Sequence, residues 1–160
     1  MDSAVDAEFV LELLNSPGFL KYIGDRGVRD LPAAREFIEN RYRQSYRDHG
    51  FGLYTVELKA GGIPVGMCGF VKREGLPNPD LGFAFLPRFE KNGYGFESAA
   101  AVMKYGRETL KFDEIMAITT LDNDASGRLL AKVGFKFDKR FEMPDGEVLN
   151  LYSSKAPEAA

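Results

Sequence analysis

The chain carries one cysteine, Cys68, and one histidine, His49, among 160 residues. A lone cysteine excludes an intrachain disulfide and makes a reducing compartment, the cytoplasm, the expected location. One thiol and one imidazole are also too few for an ordinary zinc site, so no metal is expected. No apolar run approaches the roughly 18 residues that a membrane helix needs. The N-terminus, MDSAVDAEFV, is acidic where a secretory leader is basic and then apolar. Excess positive charge is missing too. With 21 Lys and Arg against 24 Asp and Glu, the net charge is −3, which gives no general pull towards nucleic acid or an anionic membrane. Neither is expected as a partner, and any anion site must be local. What is present suits one globular domain: 44% of residues are apolar, enough for a core, and 28% are charged.

Residues 5–14 read as a helix, with Val5, Phe9, Leu13 and Leu14 on one face and Asp2 or Ser3 as its cap. NSPGF (15–19) breaks it. Pro32 suits the first turn of a second helix, in which Ala33, Phe37, Ile38, Tyr42 and Tyr46 recur at three and four, ending near His49-Gly50. The period then falls to two. LYTVELK (53–59), a Gly61-Gly62 turn and VGMCGFV (65–71) make an antiparallel hairpin. LGFAFL (81–86) is apolar at nearly every position, as in a strand covered on both faces. A helix follows over 93–110, with Ala99, Val102, Met103, Gly106 and Leu110 as its stripe, then the strand EIMAITT (114–120). DNDASGRLLAKVGF reads as a short helix capped near Asp122 or Asn123 and closed by Gly134. KFDKRFEM and GEVLNLYSS pair across Pro144-Asp145-Gly146. Strand 81–86, helix 93–110 and strand 114–120 form a right-handed βαβ unit with parallel strands. The flanking strands are antiparallel, so the fold class is α/β with a mixed sheet, not a doubly wound one. One domain is expected over 1–155, with 156–160 as a frayed tail.

The stretch FEKNGYGFESAA (89–100) puts two glycines between an apolar strand and a helix. A helix start offers unpaired N–H groups and the positive end of the macrodipole, and Gly93 and Gly95 let a bulky anion approach the backbone. A G-x-G alone is a weak signal, and the residues by themselves favour a plain strand-to-helix turn whose glycines serve positive φ. The segment lacks the Lys-Ser ending of a P-loop and the G-x-G-x-x-G spacing of a dinucleotide fold, so neither a triphosphate nor a nicotinamide is favoured.

Three pieces together resemble the GNAT N-acetyltransferases, and among them the ribosomal-protein-alanine acetyltransferase type: DLGFAFLP followed by NGYGFESA, DNDASGRLLAKVGF, and the earlier hairpin strand IPVGMCGF. The resemblance runs over nearly the whole chain. It implies the GNAT acyl-CoA acyltransferase fold, with the two parallel strands splayed apart. It also implies acetyl-CoA as cosubstrate and direct attack by a primary amine, either a peptide or protein N-terminus or a small amine, in a monomer or homodimer. The pyrophosphate would rest on backbone amides of Lys91, Asn92, Gly93, Tyr94, Gly95 and Phe96. The amides of Phe83 and Phe85 would meet the pantetheine and the acetyl carbonyl. Asn123 would hold the pantetheine arm, and Ser126 would sit near the sulfur as proton donor. Asp80 would be the base, with Asp122 and Glu57 behind it. From the residues alone, Asn123 reads first as a helix cap and Ser126 as a first-turn residue, while Asp80 is equally a solvated aspartate.

The chain departs from the family pattern at four places. Glu90 stands where Gln or Arg is usual and is expected to point away from the phosphates. Lys91 replaces a frequent glycine and would restore the lost positive charge. Leu130 occupies the position of a tyrosine acid, which shifts that role to Ser126 or water. The family's first strand has no counterpart, so the sheet edge is expected to be shortened or supplied otherwise. Cys68, inside an apolar strand, is expected to pack in the core. The amine side is assigned to RYRQSYRDHGFG, with Tyr42, Arg43 and Tyr46 as substrate residues and Lys72 and Arg73 nearby. A basic, aromatic wall suits an acceptor with an acidic group; the same residues also suit a solvated helix face. His49 is expected at a helix C-terminus. The competing reading is a CoA-binding domain that has lost catalysis and serves as a sensor or interaction module.

Overall fold

The period-two segments pair into one six-stranded sheet in the computed structural model of the protein, which describes residues 1–157. The strands are β1 (Leu53–Glu57), β2 (Pro64–Val71), β3 (Asp80–Phe85), β4 (Glu114–Thr119), β5 (Lys136–Glu142) and β6 (Val148–Lys155). Their order is β1-β2-β3-β4-β6-β5. Only β3 and β4 are parallel; every other neighbouring pair is antiparallel. β1 is an edge, and no strand precedes it among the described residues, as the sequence led us to expect.

Helices cover both faces. On one lie α1 (Ala7–Leu14), α2 (Pro17–Tyr22), α3 (Leu31–Phe37) and α4 (Gln44–His49), packed with Met67 and Leu86 of the sheet side. On the other lie α5 (Tyr94–Glu108) and α6 (Asp124–Lys132), where Ala99, Met103 and Leu130 meet Cys68, Phe70, Leu81, Ile115 and Ala117. Alternation along β3 therefore sends Leu81 towards α5 and Ala84 towards α1–α4. Arg107 ties α5 to the far side of the sheet, donating to the carbonyls of Phe112, Asp113 and Ser154 at 2.9, 2.8 and 2.6 Å.

Several local expectations are corrected. Val5 is not on the buried face of α1 and is 77% exposed. The Asp2 carboxylate accepts the amides of Ala4 and Val5 at 2.8 and 3.0 Å, making a separate turn that ends before the helix begins. NSPGF does not simply break a helix. Pro17 opens α2, because the first helical turn has no use for the N–H that proline lacks. The helix read through Tyr46 is not continuous. α3, capped by Asp30 accepting from the Ala33 amide at 2.9 Å, passes into a π-helical segment, Ile38–Arg43, before α4, which Gly50 ends at φ 75°. The wider π turn breaks the 3.6-residue register, and the buried residues are Ala34, Ile38 and Tyr42. The tail begins in contact, the Ala156 amide donating to the Asp113 carbonyl at 2.6 Å. Residues 158–160 of the expected tail lie outside the described residues. No described helix is long and apolar enough to cross a membrane.

Candidate active site

β3 and β4 touch at one place. Asp80 pairs with Met116, and the Met116 amide donates to the Pro79 carbonyl at 2.9 Å. Beyond that point the strands diverge, while β3 stays paired with β2 along its whole length. At the far end the Leu86 amide donates to the Val65 carbonyl at 2.9 Å, on the β2 side. Backbone polar groups alternate sides along a strand. Leu81, Phe83 and Phe85 therefore aim theirs at the gap, on the same side as Pro79. Gly82, Phe83, Ala84 and Phe85 are only half-buried. Both faces of the strand are covered, Leu81 and Phe83 by the α5 side and Ala84 by the α1–α4 side, and the exposure comes from the open edge along the gap.

The gap opens into a cleft of about 880 Å³, lined at one end by Lys91, Tyr94, Gly95, Asn123, Ser126 and Thr119. Gly93 precedes α5 at φ 82°, and Lys91 takes φ 63°, so the chain turns sharply into the helix. The amides of Tyr94, Gly95 and Phe96 have no acceptor within the helix, since the Glu97 amide makes the first bond, to the Gly93 carbonyl at 3.0 Å. A Cβ at Gly93 would meet no protein atom within 4 Å. Asn92 does not line the cleft. Its side chain donates to the carbonyls of Phe89 and Glu90 at 3.2 and 3.1 Å and holds the loop in shape. The Phe96 ring points to solvent at 47% exposure. Glu90 stands exposed on the cleft rim.

Asn123 caps α6, accepting the Ser126 amide on Oδ1 at 3.2 Å. Its Nδ2 donates to no protein atom among the described residues. Ser126 lies beside it in the first turn. Leu130, at the tyrosine position of the family pattern, is buried and offers no proton. The sequence reading missed Thr119. It is 7% exposed, lines the cleft, and its Oγ1 has no protein partner. Its only signal was its place at the end of a parallel strand.

Asp80 opens β3, five strand steps or about 16 Å along the strand from Phe85. It is 1% exposed, so the solvated reading is overturned. Its Oδ2 receives Arg73 Nε at 2.9 Å, and its Oδ1 has no partner. Burial pushes its carboxyl up to about 6, against the opposing pull of the Arg73 guanidinium. A carboxylate titrating near neutrality can take a proton from an ammonium group and release it to water. Asp122 and Glu57, the weaker candidates, do not line the cleft.

Of the three residues assigned to the acceptor, only Tyr42 lines the cleft; it is 7% exposed and edge-on to Phe37. Arg43 and Tyr46 are corrected. Arg43 donates to the Met1 carbonyl at 2.9 Å, and its Nε lies 3.1 Å from Glu39 Oε1. Tyr46 stacks on Tyr54 with ring centroids 5.4 Å apart and donates to the Leu53 carbonyl. The π-helical segment turns both out of the cleft. Lys72 and Arg73 do line it, as does His49, at the last turn of α4 against Phe51. Arg26 and Arg41 line it too; the first was not singled out from the sequence because the turn that carries it has no periodic pattern. Cys68 is buried in the α5-side core, and burial raises its thiol to about 12, far from a nucleophile at neutral pH.

The model of the acetyltransferase (GNAT) domain matches residues 1–136. The chain belongs to the GNAT acetyltransferase family. Among Bacillus subtilis proteins, this GNAT chain is 30% identical to the uncharacterized protein YkkB over 79% of its own length and 73% of the relative's. It is 25% identical to the uncharacterized N-acetyltransferase YoaA over 82% and 74%. Its fold superimposes on a GNAT-family acetyltransferase from Bacillus anthracis with a TM-score of 0.75 and 25% identity, covering 94% and 89% of the two chains. Two more distant structures share the fold alone. One is a spermidine N-acetyltransferase from Vibrio cholerae in complex with CoA and spermine, at 13% identity and TM-score 0.75 over 94% and 89%. The other is the aminoglycoside acetyltransferase AAC(6')-Ib in complex with coenzyme A and kanamycin, at 15% and 0.76 over 97% and 91%.

Proposed function

We propose that this GNAT acetyltransferase moves an acetyl group from acetyl-CoA to a primary amine by direct attack, with Asp80 as the base and Ser126 beside the leaving sulfur. The observation that carries the reading is Asp80: a buried carboxylate with one unpartnered oxygen, lining a cleft that begins where β3 and β4 part. The residues present suit the cosubstrate. Unpaired amides at the start of α5 form an anion cradle with open space over Gly93. The backbone of Phe83 and Phe85 faces a gap with no protein partner, as an extended amide-bearing arm requires.

Acetyl-CoA supplies the thioester carbonyl and the leaving thiol. Loop residues Lys91 to Phe96 hold the phosphates, and Asn123 fixes the arm through Nδ2. The Phe83 amide polarises the carbonyl, a contribution that grows as charge develops on oxygen. Asp80 Oδ1 accepts the ammonium proton through water, while Arg73 holds Oδ2. Ser126 donates its hydroxyl proton towards sulfur and recovers one from solvent. The lone buried thiol suits a reducing cytoplasm.

A free-thiol release assay with amino acids, polyamines and short peptides tests the reading. Release that requires an added amine supports it; saturable CoA binding without release from any amine would replace it with the sensor module.

A further inference from the structure

The cleft is basic in an acidic protein. Five Lys and Arg line it against three Asp and Glu, whereas the whole chain carries −3. The excess gathers on the α1–α4 side of the sheet, away from the α5 loop. Three guanidinium groups belong to it: Arg26 from the turn after α2, Arg41 from the π-helical segment, and Arg73 from the end of β2. Only Arg73 has a carboxylate partner, Asp80. Arg26 and Arg41 make no ion pair among the described residues. Both are held in place by apolar contact instead. Arg26 Cζ lies 5.9 Å from the Phe19 ring centroid, and Arg41 Cζ lies 5.6 Å from that of Phe37. The Arg26 guanidinium also folds back over Gly24, where an added Cβ would come within 3.3 Å of its Nη1.

These groups act on one another. The protein packed around Arg26, and then Arg73 and Arg41, disfavour its charge, with only Tyr42 and Glu147 opposing them. Arg26 and Arg41 are exposed, and two unpaired cations close to Arg73 concentrate positive charge that an anion would neutralise. Phe19, Tyr22, Phe37 and Tyr42 wall the same space. On the acid side stand Asp80, already paired with Arg73, Asp48, which accepts from Gln44 at 2.7 Å in solvent, and Glu90 on the rim at the α5 loop. Among the described residues, no cluster of carboxylates faces Arg26 and Arg41 to hold a second or third ammonium group there.

We infer that the acceptor is a primary amine that also bears an anionic group, a carboxylate or phosphate, bound by Arg26 and Arg41 while its nitrogen faces Asp80. The inference rests on the acetyl-transfer reading above for the role of the nitrogen, but not for the binding of the anion. It separates this chain from fold neighbours solved with spermine and kanamycin, which are polycations.

The test has two readouts. Thiol release from acetyl-CoA is measured with β-alanine and 2-aminoethyl phosphate, with neutral ethanolamine, and with ethylenediamine and spermidine. The tripeptides Ser-Asp-Ala and Ser-Lys-Ala tell a peptide source of the anion from a small-molecule one. Binding of the same amines to the CoA-saturated protein is measured by calorimetry. Each is repeated in Arg26→Glu/Arg41→Glu, whose changes are at exposed positions. We expect the anionic amines to exceed the neutral and cationic ones at least tenfold in kcat/KM, and the double variant to lose or reverse that order. Anionic amines that bind selectively without thiol release would overturn acetyl transfer and leave the acceptor class standing. Preferred turnover of spermidine or ethylenediamine would overturn the acceptor class and leave acetyl transfer standing. Absence of both binding and turnover of the anionic amines, or an unchanged order in the double variant, also overturns it.

Discussion

Asp80→Asn isolates the proton-accepting step with little disturbance of shape. The amide oxygen can still receive Arg73 Nε, now at 2.9 Å from the carboxylate, so the β2–β3 contact is kept and only the basicity is lost. The wild-type enzyme takes the acceptor as its ammonium form, so its kcat/KM should rise through a single acid limb centred near pH 6, the value to which burial brings Asp80. At pH 5 the rate should be about a tenth of the plateau, since about one carboxylate in ten is then ionised. The variant must wait for amine that is already neutral. For an alkylamine with a pKa of about 10, roughly one molecule in 10³ is neutral at pH 7 and one in ten at pH 9. The gap between the two proteins should thus be about 10³ at pH 7 and close to about tenfold at pH 9, within the general-base range of about 10² to 10⁴. The assay is initial-rate thiol release across pH 5–9.5, with a melting curve to show that the variant is folded. Parallel profiles of similar height would refute the assignment and move proton removal to water.

The same carboxyl has a stability signature. Its folded pKa lies above the ordinary 3.8, so the stability it contributes is present below that value and is lost as pH rises through about 6. The unfolding free energy of the wild type relative to Asp80→Asn should fall by about 3 kcal/mol across this window, and a flat difference by denaturant titration would show that Asp80 is not desolvated. Gly93→Val adds a branched side chain over the phosphate cradle at a residue with φ 82°; calorimetry on the folded variant should show CoA binding at least tenfold weaker, about 1.4 kcal/mol. Ser126→Ala should lower kcat about tenfold or more with little change in acetyl-CoA affinity, because a proton donor to sulfur acts mainly in the transition state; unchanged kcat would leave Ser126 only a place in the first turn of α6.

The sequence by itself determined most of the kinds and order of elements, α2 and the π-helical segment excepted, because these rest on neighbours a few residues apart. Alternation at Leu53–Glu57, the glycine turn at Gly61-Gly62 and the stripe through Ala99, Met103 and Gly106 are local signals, and each became the element it announced. The run DLGFAFLP–NGYGFESA was enough to identify the βαβ unit and its glycine loop. Tertiary structure alone decided where solvent and charge go. Asp80 read equally as a base or a solvated aspartate until Arg73, two residues past the end of β2, and Met116, thirty-six positions on, closed around it. The parting of β3 from β4 depends on which backbone groups find partners across the sheet, and no local pattern encodes that. Arg43 and Tyr46 carried the right chemistry for an acceptor wall, but one π-helical segment rotated them away and left Tyr42 and Arg41 facing the cleft. Arg26 gained its place because a turn with no periodicity folds back beside them. Burial and the company of other charges are long-range properties, set by residues far apart in the chain, and they are what separates a charged surface residue from a functional one.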